Sequence, residues 1–139
     1  FMRLLAAPPT APLTPSAKTG QKLFTQIGCA VCHTPVMQTG PSPVAALANK
    51  PVWLYSDLLL HDMGTLGDGI AQGTAGMRDM KTAPLWGLRA RPALLHDGRA
   101  PNPDTAIRFH DGEGARSRDN YRRLSPMQRA QLLEFLNSI

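Results

Sequence analysis

The sequence predicts a mainly α domain in which short helices and long ordered loops surround a central group that is not protein. Three observations lead there. Hydrophobic residues make up 42% of the chain, enough for a buried core, yet 13 prolines and 12 glycines cut it into short pieces. Aromatics are only 6%, so the bulky side chains that fill a core are scarce and a flat apolar cofactor would serve in their place. The clear local signals are capped, helix-periodic segments, and no run alternates convincingly as a strand. With 139 residues the chain makes one compact domain.

The elements follow in order. Residues 1–15, "FMRLLAAPPTAPLTP", carry four prolines among their last eight positions and read as a linker or a segment from an upstream domain. The domain proper is residues 16–139. Ser16 is placed to cap a helix through Lys18, Gln21, Leu23 and Phe24 towards Ile27, with Leu23, Phe24 and Ile27 on one face. Gly28 ends that helix and delivers Cys29 in a turn. From Thr34 to Pro51 the chain is a loop rich in Pro, Gly and Ser, with a short turn at Val44–Ala48. "VWLYSDLLLHDMG", Val52–Gly64, is the most apolar stretch but carries Asp57, His61 and Asp62. Five glycines in residues 64–76 mark a loop, and Lys81–Ala100 is irregular with buried Leu and Trp positions. Asn102-Pro103 starts a helix that holds Ile107 and Phe109 and stops before Gly112. The last helix has Ser125 as N-cap, Pro126 as first residue and Gln128 completing a capping box. Its Leu132, Phe135, Leu136 and Ile139 share one face.

The formal charge is +5 and the pI about 9.8. The densest basic set is Arg116, Arg118, Arg122, Arg123 and Arg129. No recognition motif accompanies these residues and no aromatics interleave with them, so a nucleic-acid partner is not expected. A basic rim that meets an acidic partner or an anionic cofactor fits better. No run approaches the roughly 18 apolar residues of a membrane span, so membrane contact is expected only through partners. The chain begins with Phe1, which reads as a processed chain or a piece of a longer one.

Both cysteines fall in Cys29-Ala-Val-Cys32-His33. Three readings compete. A thioredoxin-like or disulfide pair wants a strand before and a helix after, which is absent here. A structural zinc site wants four ligands, and there is no second Cys pair. Covalent attachment of one haem c is the specific reading: two thiols two residues apart reach the two vinyl groups on one side of the porphyrin, and the following His33 ligates the iron. It uses every cysteine in the chain, and it supplies the missing core. Such attachment points to a periplasmic or extracellular chain with a c-type cytochrome fold. The carbonyl of Pro35 is a candidate acceptor for the His33 Nδ1–H.

Beyond that pentapeptide, "GQKLFTQIGCAVCHTP", "YSDLLLHDMG", "TAPLWGL", "LLHDGRA", "AIRFHDGEGARSRDNYRRLS" and "LLEFLNSI" occur in this order. Together they resemble the carboxy-terminal haem domain of the di-haem oxidoreductase family, relatives of bacterial di-haem cytochrome c peroxidases. The resemblance spans nearly the whole chain, and "FMRLLAAPP" is similar to the segment entering this domain from an upstream haem domain. Family members carry two haems, one per domain, whereas this chain has one CxxCH. The resemblance therefore implies an electron-transfer role, as the carboxy-terminal half of a peroxidase-like oxidoreductase, with a redox partner protein or the upstream haem domain as partner. The alternative is a peroxidase-type enzyme acting at an open or labile distal face, with His61 as acid–base group.

For the distal side of the iron, Met63 is the first expectation, from its Gly-bounded place in "LLLHDMG". Met77 and Met80 are rivals, because related peroxidases place a Met ligand before a sequence like "TAPLWGL"; His61 or an open site are the others. His61 and Asp62 are expected to satisfy local or cofactor hydrogen bonds. Trp53, Tyr55 and Trp86 are expected to pack around the haem, with Trp86 a candidate electron relay. Arg99 in "LLHDGRA" is a candidate for a propionate or an inter-domain ion pair, and His110 reads as suiting a helix C-terminus.

Overall fold

The structure, a computed structural model, describes Leu5 and residues 7–139. Among the described residues there are four α-helices: α1 (Pro15–Gln26), α2 (Pro103–Phe109), α3 (Ala115–Arg123) and α4 (Pro126–Leu136). Four very short strands join them: β1 (Met37–Gln38), β2 (Pro51–Val52), β3 (Leu60–Asp62) and β4 (Asp79–Lys81). β1 pairs antiparallel with β2, and β3 antiparallel with β4, in two separate two-stranded sheets. The class is therefore mixed, helices with small sheets, and not plainly mainly α. Strands of two or three residues are too short to show alternation, so the pattern that normally reveals a strand never develops.

The frame is the packing of α1 on α4. α1 turns Ala17, Gly20, Leu23 and Phe24 inward, and α4 answers with Leu132, Phe135 and Leu136. Gly20 lets the two backbones meet: a Cβ there would lie 2.0 Å from the Gln131 carbonyl oxygen. Phe24, Tyr55 and Phe135 then pack edge-on, with ring centres 5.5–6.1 Å apart.

The last helix starts as its sequence dictates. The Gln128 amide donates to Ser125 Oγ at 3.2 Å and the Ser125 amide to Gln128 Oε1 at 2.9 Å. α2 is capped by Asn102, whose Oδ1 accepts the Thr105 amide at 2.8 Å. α1 departs from expectation: its cap is Thr14, whose Oγ1 accepts the Ala17 amide, and not Ser16. Pro15 takes the first helical position, where its fixed φ and missing N–H cost nothing. The final proline of the supposed linker thus opens the helix. Of that amino-terminal segment, residues 1–4 and Ala6 lie outside the described residues. The rest is anchored: the Ala11 amide donates to Ser138 O at 2.8 Å, and the Arg89 guanidinium bonds the carbonyls of Pro9 and Ser138. α3 carries a helix that its Arg-rich sequence did not announce. Its buried anchor is Tyr121, which is 0% exposed and donates its hydroxyl hydrogen to Asp104 on α2.

Candidate functional site

Gly28 leaves α1 at φ 97°, a left-handed conformation open to glycine, and turns the chain into the 3-10 turn Cys29–Val31. The next residues are held by a short ladder. The amides of Asp57, Ser56 and Tyr55 donate to the carbonyls of Cys32, Thr34 and Pro35 at 2.9, 2.9 and 3.3 Å. Tyr55 itself sits at φ 53°, a strained value for a bulky residue, tolerated because both sides of it are pinned. Its carbonyl accepts from His33 Nδ1 at 3.0 Å. Pro35 was expected in that role, but its carbonyl is taken by the Tyr55 amide.

His33 faces a cavity of about 600 Å³, in the size range of cofactor sites. Phe24, Leu85, Leu88, Leu94 and Leu136 supply apolar wall, and Cys29, Cys32, His61, Met63, Met80 and His110 line it as well. Both cysteines are free thiols. Burial pushes the Cys29 thiol up to about 12; burial first, then the Asp57 and Glu113 carboxylates, raise that of Cys32. Neither thiol is poised to ionise, which counts against a reactive redox pair.

The residue that sequence reasoning undervalued is His110. Its ring centre is 6.4 Å from that of His33. Its Nδ1 donates to the Ala106 carbonyl at 2.8 Å. In both histidines a carbonyl can only accept, so Nδ1 carries the hydrogen and Nε2 keeps its lone pair. Burial lowers both pKa values, that of His33 to about 4, so both rings are neutral and competent as ligands. A metal–imidazole bond is about 2 Å and the ring centre lies roughly 1 Å behind the nitrogen, so one metal ion between two imidazoles sets their centres roughly 6 Å apart. The observed separation fits. The signal was present in the sequence: Pro103, Ala106, Ile107 and His110 fall at i, i+3, i+4 and i+7, and all four line the cavity.

The other expected site residues divide. Met63 and Met80 line the cavity. A Cβ built on Gly114 would touch both the Met63 methyl and the His110 ring, so those two side chains share one side of the site. Met77 is 60% exposed and does not line it. His61 lines the cavity but both of its nitrogens are committed, Nδ1 to Glu113 and Nε2 to Asp57, each at 2.8 Å. Glu113 first, then Asp57, hold its pKa above the usual imidazole value. Cys32 Sγ is 3.8 Å from His61 Nδ1, and Cys32, Asp57 and His61 form a compact ligand-type group. Trp53 is exposed, and neither it nor Trp86 lines the cavity. The Tyr55 ring packs with Phe24 and Phe135 in the aromatic core and does not line the cavity. Arg99 pairs locally with Asp97 and stacks over Phe109 at 5.8 Å.

Among known proteins, no curated protein matches the sequence at a significant level. Among solved structures, a Kuenenia stuttgartiensis hydrazine synthase, determined under 20 bar of xenon, shares the fold with a TM-score of 0.65 and 21% identity. The alignment covers 99% of this chain and 52% of that one, so the present chain spans about half of its length. A family model described as "Di-haem oxidoreductase, putative peroxidase" matches residues 2–139. That match takes in nearly the whole chain, and the mostly apolar cavity lined by His33 and His110 agrees with it: the chain belongs to the di-haem oxidoreductase family.

Proposed function

We propose that this chain holds one haem through thioether bonds from Cys29 and Cys32 and passes single electrons, as one half of a peroxidase-like oxidoreductase. The observation that carries the reading is the pair His33 and His110, at metal-bridging separation with their Nδ1 atoms anchored on main-chain carbonyls. Haem, when bound, supplies a reversible one-electron change at iron. The chain's own residues do the rest. Tyr55 O and Ala106 O fix the tautomer and aim of the two rings and raise their basicity. Phe24, Leu85, Leu88, Leu94 and Leu136 would give the group an apolar lining. His33 and His110 would both hold the group, and iron held by two imidazoles would serve electron transfer better than catalysis. His110 would hold the iron in preference to Met63, because its imidazole is oriented by the hydrogen bond to the Ala106 carbonyl. Thioether attachment of haem is made outside the cytoplasm, which supports a periplasmic or extracellular location.

The test is the visible spectrum of the purified protein, ferric and then reduced. A six-coordinate low-spin spectrum without a methionine–iron charge-transfer band is expected, with colour that stays on the chain after acid–acetone extraction. His110→Ala should turn it high-spin, and Met63→Leu should leave it low-spin. A methionine–iron band that disappears in Met63→Leu would transfer the ligand role to Met63. A high-spin wild-type spectrum would favour the peroxidase reading, for which His61 between two carboxylates on the cavity wall is the acid–base group.

A further inference from the structure

The surface beside Cys29 combines an apolar centre with cations that form no ion pair among the described residues. On α3, Arg116, Asn120 and Arg123 stand at i, i+4 and i+7 and share one face. Arg116 and Asn120 reach the cavity wall. The face is fastened to the end of α1: Asn120 Nδ2 donates to the Ile27 carbonyl at 3.2 Å, and Ser117 Oγ lies 2.9 Å from where a Gly28 Cβ would be. α1 adds exposed Lys22 and, one turn later, Gln26, which also lines the cavity. Val31, inside the CxxCH loop, is 77% exposed and lines the same opening. Ion pairing spares these cations. Asp119, the acidic residue of α3, is engaged by Arg118 and Arg122, whereas Arg116, Arg123 and Lys22 take part in no ion pair among the described residues.

We infer that this face is the docking surface for an acidic redox protein, with Lys22, Arg116 and Arg123 as a cationic rim and Val31 at its apolar centre. The inference rests on the electron-transfer reading above. A small apolar centre inside a charged rim is the composition of a transient protein interface, in which opposite charge raises the encounter rate more than the affinity. The face has no aromatic platform, so single-stranded nucleic acid has nothing to stack on. Gln26, Val31, Arg116 and Asn120 also line the cavity, so a partner docked on this face would sit at its opening.

The experiment uses small redox probes of opposite charge on the full haem-bearing chain. In stopped flow, one electron leaves the reduced protein and converts ferricyanide to ferrocyanide; in a parallel run, hexaammineruthenium(III) is reduced to hexaammineruthenium(II). Arg123→Glu and Arg116→Glu should each lower the ferricyanide rate roughly threefold to tenfold at low ionic strength and raise the ruthenium rate, with both effects fading in salt. Lys50→Glu, on the β1–β2 hairpin, makes the same change in net charge and should do much less. Equal effects of Lys50→Glu and Arg123→Glu would overturn the inference, as would rates blind to all three. A second readout needs no electron transfer. The redox-inert paramagnetic anion hexacyanochromate should broaden amide NMR signals around Gln26, Val31, Arg116 and Arg123; broadening centred elsewhere would overturn the docking surface. A wild-type chain with no haem bands would sink the electron-transfer reading itself, while the hexacyanochromate map would still decide where anions dock. Tight binding of a random DNA duplex through the same arginines would overturn the assignment to a protein partner.

Discussion

Replacing Gly20 by alanine adds one methyl group at the tightest point of the molecule. Its Cβ would sit 2.0 Å from the Gln131 carbonyl oxygen and 2.9 Å from Phe135 Cβ. The first obstacle is main chain and cannot rotate away, so α1 and α4 must separate by more than roughly 1 Å to restore ordinary contact. Overpacking of this kind costs about 1–3 kcal/mol, and a backbone obstacle puts it at the upper end. Alanine returns about 1 kcal/mol through its better helix propensity. The net loss is about 2 kcal/mol. In a chain of 139 residues that lowers Tm by about 6–8 °C. Phe24 lies one turn along α1 and its ring centre is 6.4 Å from that of His33, so the visible spectrum should shift together with Tm. Thermal unfolding followed by far-UV circular dichroism, with the visible band recorded in parallel, checks both. Gly40→Ala is the control, since nothing lies within 4 Å of its Cβ position and stability should be unchanged. A Gly20→Ala variant as stable as wild type, or more so, would refute the close α1–α4 packing.

Ser125→Ala removes half of the capping box on α4 and should cost about 1 kcal/mol in urea denaturation at unchanged m. Glu113→Gln deletes the first partner of His61, so the His61 pKa, followed by NMR titration, should fall towards the ordinary imidazole value. In wild type that pKa is raised by folding, so the stabilisation is complete below the unfolded value near 6.5 and is lost as pH rises through the folded one; the variant should lose that slope. For Asp104 the sign reverses. Arg108 first, then Tyr121, hold its carboxylate pKa below the usual range, so its contribution is present above about pH 4 and disappears as pH falls through the depressed value. Asp104→Asn should therefore weaken the protein at pH 7 and matter much less near pH 2, in denaturation measured at both.

Several features were legible in the chain itself because they are local. The two N-caps at Asn102 and Ser125, the glycine stop at Gly28 and the inward face of α4 need only neighbouring residues, and the structure has each of them. The single CxxCH marked the region of the site for the same reason. Where local signals compete they mislead: Pro15, the fourth proline in eight residues, has the look of a linker's end, yet at N1 it opens α1 behind Thr14. The basic run of α3 hid a helix whose only buried anchor is Tyr121. The miniature sheets were invisible because pairs such as Met37 with Val52 and His61 with Met80 form between segments too short to alternate.

What tertiary structure alone decided is who meets whom across the cavity. Composition and spacing by themselves pointed to a flat cofactor and singled out Cys29, Cys32 and His33, by residue type, as the candidates to attach it. They could not tell Tyr55 from Pro35 as the acceptor for His33, because that depends on which carbonyl is left over once the 32–35 and 55–57 segments pair. Nor could they bring His110 beside His33 as a candidate partner. Residues 33 and 110 are far apart in sequence, and only the docking of α2 over the CxxCH turn sets their rings 6.4 Å apart. Which residues can share one cofactor is a matter of distance, and distances between remote residues exist only once the chain has folded.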